Sequence, residues 1–170
     1  MGPLVSLAQR KEIIERVSAL KQEAEVVAGD LERFELAGAD RDKGAFVPPM
    51  LLYCRDPASA RALHSVEAFG PVCTVVPYKS VDDAIELARK GEGSLVSSVF
   101  TADDAVAARF VLGLAPLHGR VLVANRHCGK ESTGHGSPLP HLVHGGPGRA
   151  GGGEEMGGIR GVLHYMQRTA

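Results

Sequence analysis

The sequence predicts an α/β fold, mainly a parallel sheet with flanking helices. Three observations predict it. Between Val72 and Asn125 the chain alternates strand, helix, strand, helix and strand. Connections of that length imply parallel pairing with right-handed crossovers. The strands there read as continuous apolar runs, the pattern of a sheet covered on both faces. Both helices open on side chains suited to capping.

Taken in order, the first element is a helix over Leu7 to Ala24. Ile13, Ile14, Val17, Leu20 and Ala24 recur at spacings of three and four, one face of a helix, and charged residues take the other. A short strand, Glu25 to Ala28, ends at Gly29-Asp30. Leu31 to Gly44 is charged and patternless, so it reads as a loop or exposed hairpin. Phe46 to Cys54 is extended. Pro48-Pro49 would break a central ladder, which makes this an edge strand or one that begins after the prolines. Val72 to Tyr78 is β-branched and apolar, as a buried strand should be. Ser80 caps the next helix, Asp82 and Asp83 favour its positive end, and Arg89-Lys90-Gly91 close it. Leu95 to Phe100 is a strand, Thr101 to Asp104 a second cap, and Ala105 to Leu112 a helix ending at Gly113. Arg120 to Asn125 is the last strand. The C-terminal sheet edge, formed by Tyr78–Ser80, Phe100–Thr101 and Asn125–His127, is where such a sheet would bind a ligand.

Residues 1–125 are thus regular, and the chain beyond them is not. Twelve of the 21 glycines lie between Gly129 and Gly161. Arg126 to Gly153 reads as a long Gly/His-rich loop, a length that points to function or disorder. Glu154 to Gln167 reads as a final helix weakened by Gly157, Gly158 and Gly161.

Composition narrows the function. The 170 residues suit one domain and are 44% hydrophobic and 23% charged, ordinary for a folded chain. Nineteen basic residues against twenty acidic ones leave no footprint for nucleic acid or a membrane surface. No apolar run reaches the ~18–20 residues that span a bilayer. Three scattered cysteines make no disulfide framework, so the cytoplasm is the expected compartment.

Several sharp motifs have bland alternatives. Gly146-Pro147-Gly148-Arg149-Ala150-Gly151 matches G-x-G-x-x-G, but no strand feeds it and Pro147 sits inside it, so it reads as a glycine turn. Gly129-Lys130-Glu131-Ser132 is no phosphate loop, because Ala124 stands where a glycine is needed. Five of the seven histidines fall between His118 and His144, yet their spacing fits no common zinc ligand pair, and no metal is expected. Of the thiols, Cys73 sits mid-strand as a buried inert residue would. Cys54 ends a strand, and Cys128 neighbours His127 without facing it. None has a visible activating partner. Glu67-Ala68-Phe69-Gly70-Pro71-Val72 places an acid and an aromatic before a turn into a strand. By composition alone these are a loop acid and a core ring.

That last motif resembles the E-x-F-G-P-V motif of the aldehyde dehydrogenase superfamily. Lys79 to Asp103 is similar to the stretch after that motif in the family, and Leu122 to Asn125 resembles a strand that ends in Asn. Lys130 to Pro140, Val143 to Gly153 and His164 to Ala170 resemble the branch in which the dehydrogenase is fused to a ring-opening hydratase of phenylacetate degradation. The resemblance implies a partial catalytic domain: the C-terminal part over residues 1–170, with an active-site loop at 126–153 and, at 154–170, a terminal helix leading to an oligomerisation strand. It implies a cysteine thiolate attacking a semialdehyde, possibly CoA-linked, hydride transfer to NAD or NADP, and a homo-oligomer. Glu67 would hold hydroxyls of the nicotinamide ribose and Phe69 would pack near the nicotinamide ring. His135 and Ser137 would line the aldehyde entrance. In the family the nucleophile lies farther before this glutamate than the 66 residues present here. None of Cys54, Cys73 and Cys128 aligns with it, and the chain alone is expected to be inactive. A non-catalytic α/β module that acts by association is the alternative.

Overall fold

The computed structural model describes residues 2–128 and 145–151 together with Val162 and Met166. It divides into two compact units, Met1–Tyr78 and Lys79–Ala170.

In the first unit, α1 spans Leu7–Leu20 and buries Ile13, Val17 and Leu20. Ser6 caps it by accepting the Gln9 N–H. The helix stops short of Ala24, and Ile14 lies on its exposed side. Strand β1 (Glu25–Ala28) pairs antiparallel with β2 (Met50–Tyr53), which pairs parallel with β3 (Val72–Val75). The order is β1-β2-β3. Strand β2 therefore begins after Pro48-Pro49, as one reading allowed, but it is central rather than an edge. Its ladder starts only where donors resume. Between β2 and β3 a single turn of helix, α2 (Ala62–Ser65), was not expected. The core joins Ile13 and Val17 of α1 to Val47 and Met50, with Leu4, Leu31, Ala68 and Val72 packed on it. Arg10 donates to the Arg41 and Gly44 carbonyls, pinning the long loop across Leu31 to Gly44.

Strand β3 departs from the expected buried strand. It is an edge strand with alternating exposure, Val72 and Thr74 half-buried and Cys73 and Val75 exposed. Cys73 is thus not a buried core thiol, whereas Cys54 is.

In the second unit, α3 (Val81–Arg89) carries the expected Ser80 cap, whose hydroxyl accepts the Asp83 N–H at 3.1 Å. Strands β4 (Ser94–Phe100) and β5 (His118–Ala124) pair in parallel. Between them α4 (Asp104–Leu114) starts at Asp103, whose carboxylate accepts from Ala105 and Val106. The helix does not stop at Gly113 but runs through it. There the missing side chain lets α4 approach Ile85 of α3, since a Cβ would lie 2.7 Å from Ile85 Cγ2.

Among the described residues parallel pairing accounts for two of the three strand pairs, but β3, β4 and β5 do not share one sheet. Alternation of strand and helix sets the direction of pairing without naming the partner. The partner of β3 is β2, a strand whose prolines disguise it. Strands β4 and β5 are mostly half-buried rather than covered on both faces.

Candidate functional site

The first unit holds an open cleft of about 820 Å³. Its wall begins with α1: buried Leu20 and half-buried Gln9 both line it. Leu63 of α2 and Val72 and Thr74 of β3 complete the half-buried part. The strand's two-residue period decides which side chains take part. Val72 and Thr74 face the cleft, so Cys73 and Val75 face away.

The segment entering β3 from α2 supplies the polar and aromatic groups. Val66 is extended, and exposure alternates from there, with Val66 and Ala68 half-buried and Glu67 and Phe69 exposed. Ala68 packs against the core and anchors the segment. Phe69 keeps 72% of its surface exposed, and both it and Glu67 line the cleft. Phe69 is thus not the core ring that composition suggests. Among the described residues the Glu67 carboxylate has no hydrogen-bond or ion-pair partner. Among those residues it is an open acceptor on the same cleft as an exposed ring.

Two contacts hold this arrangement on α1. Gln9 donates from Nε2 to the Phe69 carbonyl at 3.0 Å. Gly70 lies so close to Ile13 Cδ1 that any Cβ would collide with it. Behind them, the Glu23 carboxylate accepts the N–H groups of Arg61 and Leu63 at 2.9 and 3.0 Å, so it caps α2 from outside the helix. Those donors hold its pKa below the usual carboxylate value. Neither Gln9 nor Glu23 stood out in the sequence. Ser6-x-x-Gln9 is a capping-box pattern that could have marked the first. Nothing local marks the second, whose partners lie 38 and 40 residues away.

At the end of β4 and β5, Phe100 is exposed, and Thr101 donates its N–H to the Ala124 carbonyl. The Asn125 side chain is engaged in a turn, accepting the His127 and Cys128 N–H groups at 2.8 and 3.3 Å. The Cys128 sulfur meets backbone groups of Val123 and Asn125. His118 is buried, and among the described residues neither ring nitrogen is in hydrogen-bond geometry. Burial lowers its pKa, partly opposed by the nearby Ala88 carbonyl. Gly148–Ala150 is a short turn held by the Arg149 N–H on the Glu92 carbonyl. Among the described residues no group of three or more metal-binding side chains gathers. No helix among them is long and apolar enough to cross a membrane. His135 and Ser137 lie outside the described residues, as does most of the expected loop and final helix.

The sequence profile described as "Aldehyde dehydrogenase family" matches residues 1–170. The chain is 52% identical to the "Protein MaoC" of Klebsiella aerogenes over 173 residues, covering 100% of this chain and 49% of that protein. It is 49% identical to a 3,4-dehydroadipyl-CoA semialdehyde dehydrogenase of Aromatoleum evansii, over 86% of this chain and 28% of that one. Among solved structures, a lactaldehyde dehydrogenase superposes with a TM-score of 0.68 at 28% identity, covering 98% of this chain and 31% of that one. The chain therefore spans half or less of the length of these relatives.

Proposed function

The chain belongs to the aldehyde dehydrogenase family, and from that membership we propose that it forms part of the cofactor and substrate site of an NAD- or NADP-dependent semialdehyde dehydrogenase. One observation carries the reading. The two motif residues, Glu67 and Phe69, stand exposed on one cleft instead of being packed away. The cleft's ~820 Å³ falls within the range of small-molecule sites. An unpartnered carboxylate can accept two hydroxyl hydrogen bonds from a ribose, and an exposed ring offers a nicotinamide an apolar wall. The residues present thus fit the nicotinamide riboside half of the cofactor. When bound, the nicotinamide accepts hydride from the substrate. Glu67 fixes the ribose and thereby the ring's orientation, while Phe69 shields one side of it from water.

The attacking thiol is assigned to none of this chain's cysteines. Cys54 is 1% exposed, Cys73 points away from the cleft on β3, and the contacts of the Cys128 sulfur are backbone groups. The chain alone is expected not to oxidise aldehydes. The name of the Aromatoleum relative and the tail motifs support a CoA-linked semialdehyde of phenylacetate breakdown, with His135 and Ser137 at its entrance. A cytoplasmic homo-oligomer completes the reading.

The test is a titration of the purified chain with oxidised nicotinamide mononucleotide, followed by amide NMR. Shifts should centre on residues 66–74, and Glu67→Gln should weaken binding about tenfold, the worth of a hydrogen bond to a charged group. Equal binding by the variant would refute the ribose role. Reduction of NADP+ by an aldehyde that thiol alkylation abolishes would place the nucleophile on one of this chain's cysteines and refute that assignment.

The association module remains a second reading because of one observation. The outward side of the first unit's sheet leaves Val75 47% exposed on an edge strand, a surface prone to pairing. Sedimentation that shows a monomer at every concentration would remove it.

A further inference from the structure

The Gln9 carboxamide is used at both ends. Its Oε1 accepts the Val5 N–H at 3.1 Å, and its Nε2 donates to the Phe69 carbonyl at 3.0 Å. The first bond falls on Val5, one residue before the Ser6 cap, and steadies the chain entering α1, while the Ser6 hydroxyl accepts the Gln9 N–H as in a capping box. That contact needs only the Gln9 oxygen. The second bond joins residues 60 apart in sequence and adds nothing to the helix start. It falls on the one backbone carbonyl that lies between the Phe69 ring and the Gly70 turn.

We propose that Gln9 is a positioning residue for the cofactor, fixing Phe69 and Glu67 at the cleft through the Phe69 carbonyl. The inference rests on the cofactor reading above. The geometry supports it in three ways. Ala68 is the only inward anchor between Glu67 and Phe69, so without a second tie the segment can pivot about it. Gly70 donates its N–H to the Ala68 carbonyl at 2.7 Å, and Val72 donates to the Gly70 carbonyl. These are bonds within the turn itself and do not attach it to α1. Gln9 is the polar attachment, and contact of Gly70 with Ile13 the apolar one. Holding a loop in its bound geometry lowers the ordering cost of binding.

Two variants separate positioning from capping. Gln9→Ala removes both side-chain bonds. Gln9→Glu keeps an oxygen for the Val5 N–H but has no hydrogen for the Phe69 carbonyl. Each is compared with the parent chain by titration with oxidised nicotinamide mononucleotide, together with amide exchange at Gly70 and Val72 and thermal unfolding. Both variants should weaken binding by about fivefold, the scale of one net hydrogen bond. Exchange at Gly70 should quicken in both, with unfolding temperature nearly unchanged in Gln9→Glu. Binding by Gln9→Glu equal to the parent, with loss only in Gln9→Ala, would overturn the proposal and leave the cofactor reading standing. A parent chain that shows no shifts at residues 66–74 would overturn the cofactor reading itself, and this role with it.

Discussion

Replacing Gly113 with Ala should destabilise the second unit by about 1 kcal/mol, the balance of two opposing effects. In an exposed helix the change would stabilise by roughly 1 kcal/mol, because glycine is a poor helix former. Here the new Cβ would lie 2.7 Å from Ile85 Cγ2, 3.1 Å from its Cδ1 and 3.4 Å from its Cγ1. Ile85 is only 7% exposed. Its Cγ2 is attached directly to Cβ, and a β-branched side chain on a helix has one favoured rotamer. The clash is therefore relieved by moving a helix, not by turning a side chain. Overpacking of this kind costs about 1–3 kcal/mol, which outweighs the propensity gain. Denaturant unfolding of the parent, Gly113→Ala, Ile85→Ala and the double variant measures it. The double variant should be more stable than the sum of the singles predicts, by about the overpacking cost, since Ile85→Ala removes all three crowding carbons. Gly91→Ala is the control, because its nearest neighbour would be the Ala88 carbonyl oxygen at 3.8 Å. A Gly113→Ala variant that is more stable than the parent, and additive with Ile85→Ala, would refute the close approach of α3 and α4.

Two further expectations concern pH. Glu23 has its pKa lowered by the Arg61 and Leu63 N–H groups, so its contribution is complete above the ordinary value of 4.5 and is lost as pH falls through the folded value. Glu23→Gln should therefore lower the unfolding temperature at neutral pH and flatten its decline in acid; parallel pH profiles would argue against the cap. His118 has its pKa lowered from 6.5 by burial. The unfolded chain takes up the proton first, so stability should fall as pH drops below that value and level off beneath the folded one. His118→Leu should flatten that slope in thermal melts, and an unchanged slope would assign it to another group.

Some elements were legible because their causes are local. Ser80 and its cap needed only the three residues after it, and β1 was bounded by Gly29 at φ +92. Other features depend on residues distant in sequence. The partner of β3, the role of Gly113 and the exposure of Cys73 are all set by neighbouring elements, which periodicity does not encode. Arg89-Lys90-Gly91 looks like a glycine-terminated helix, yet the left-handed residue beyond it is Glu92, at φ +58. Its carbonyl receives the Arg149 N–H from 57 residues downstream, an interaction no local pattern announces. At the candidate site, Glu67 and Phe69 were legible through a motif. Gln9 and Glu23 were not, because each is defined by a backbone group in a remote segment.

The prolines that disguised β2 have a consequence for the cleft. Strand β2 starts at Met50 directly after Pro49, β3 starts at Val72 directly after Pro71, and these two starts face each other. The Met50 N–H reaches the Pro71 carbonyl at 2.8 Å. Sliding β2 by one residue so that Pro49 faced Val72 would put a nitrogen without a hydrogen where the Pro71 carbonyl takes its donor. If β3 turned to follow that shift, Cys73 and Val75 would face inward and Val72 and Thr74 out. The Pro49 ring thus acts as an alignment key against that slip: it helps keep a hydroxyl, rather than a thiol, on the side where a coenzyme would rest.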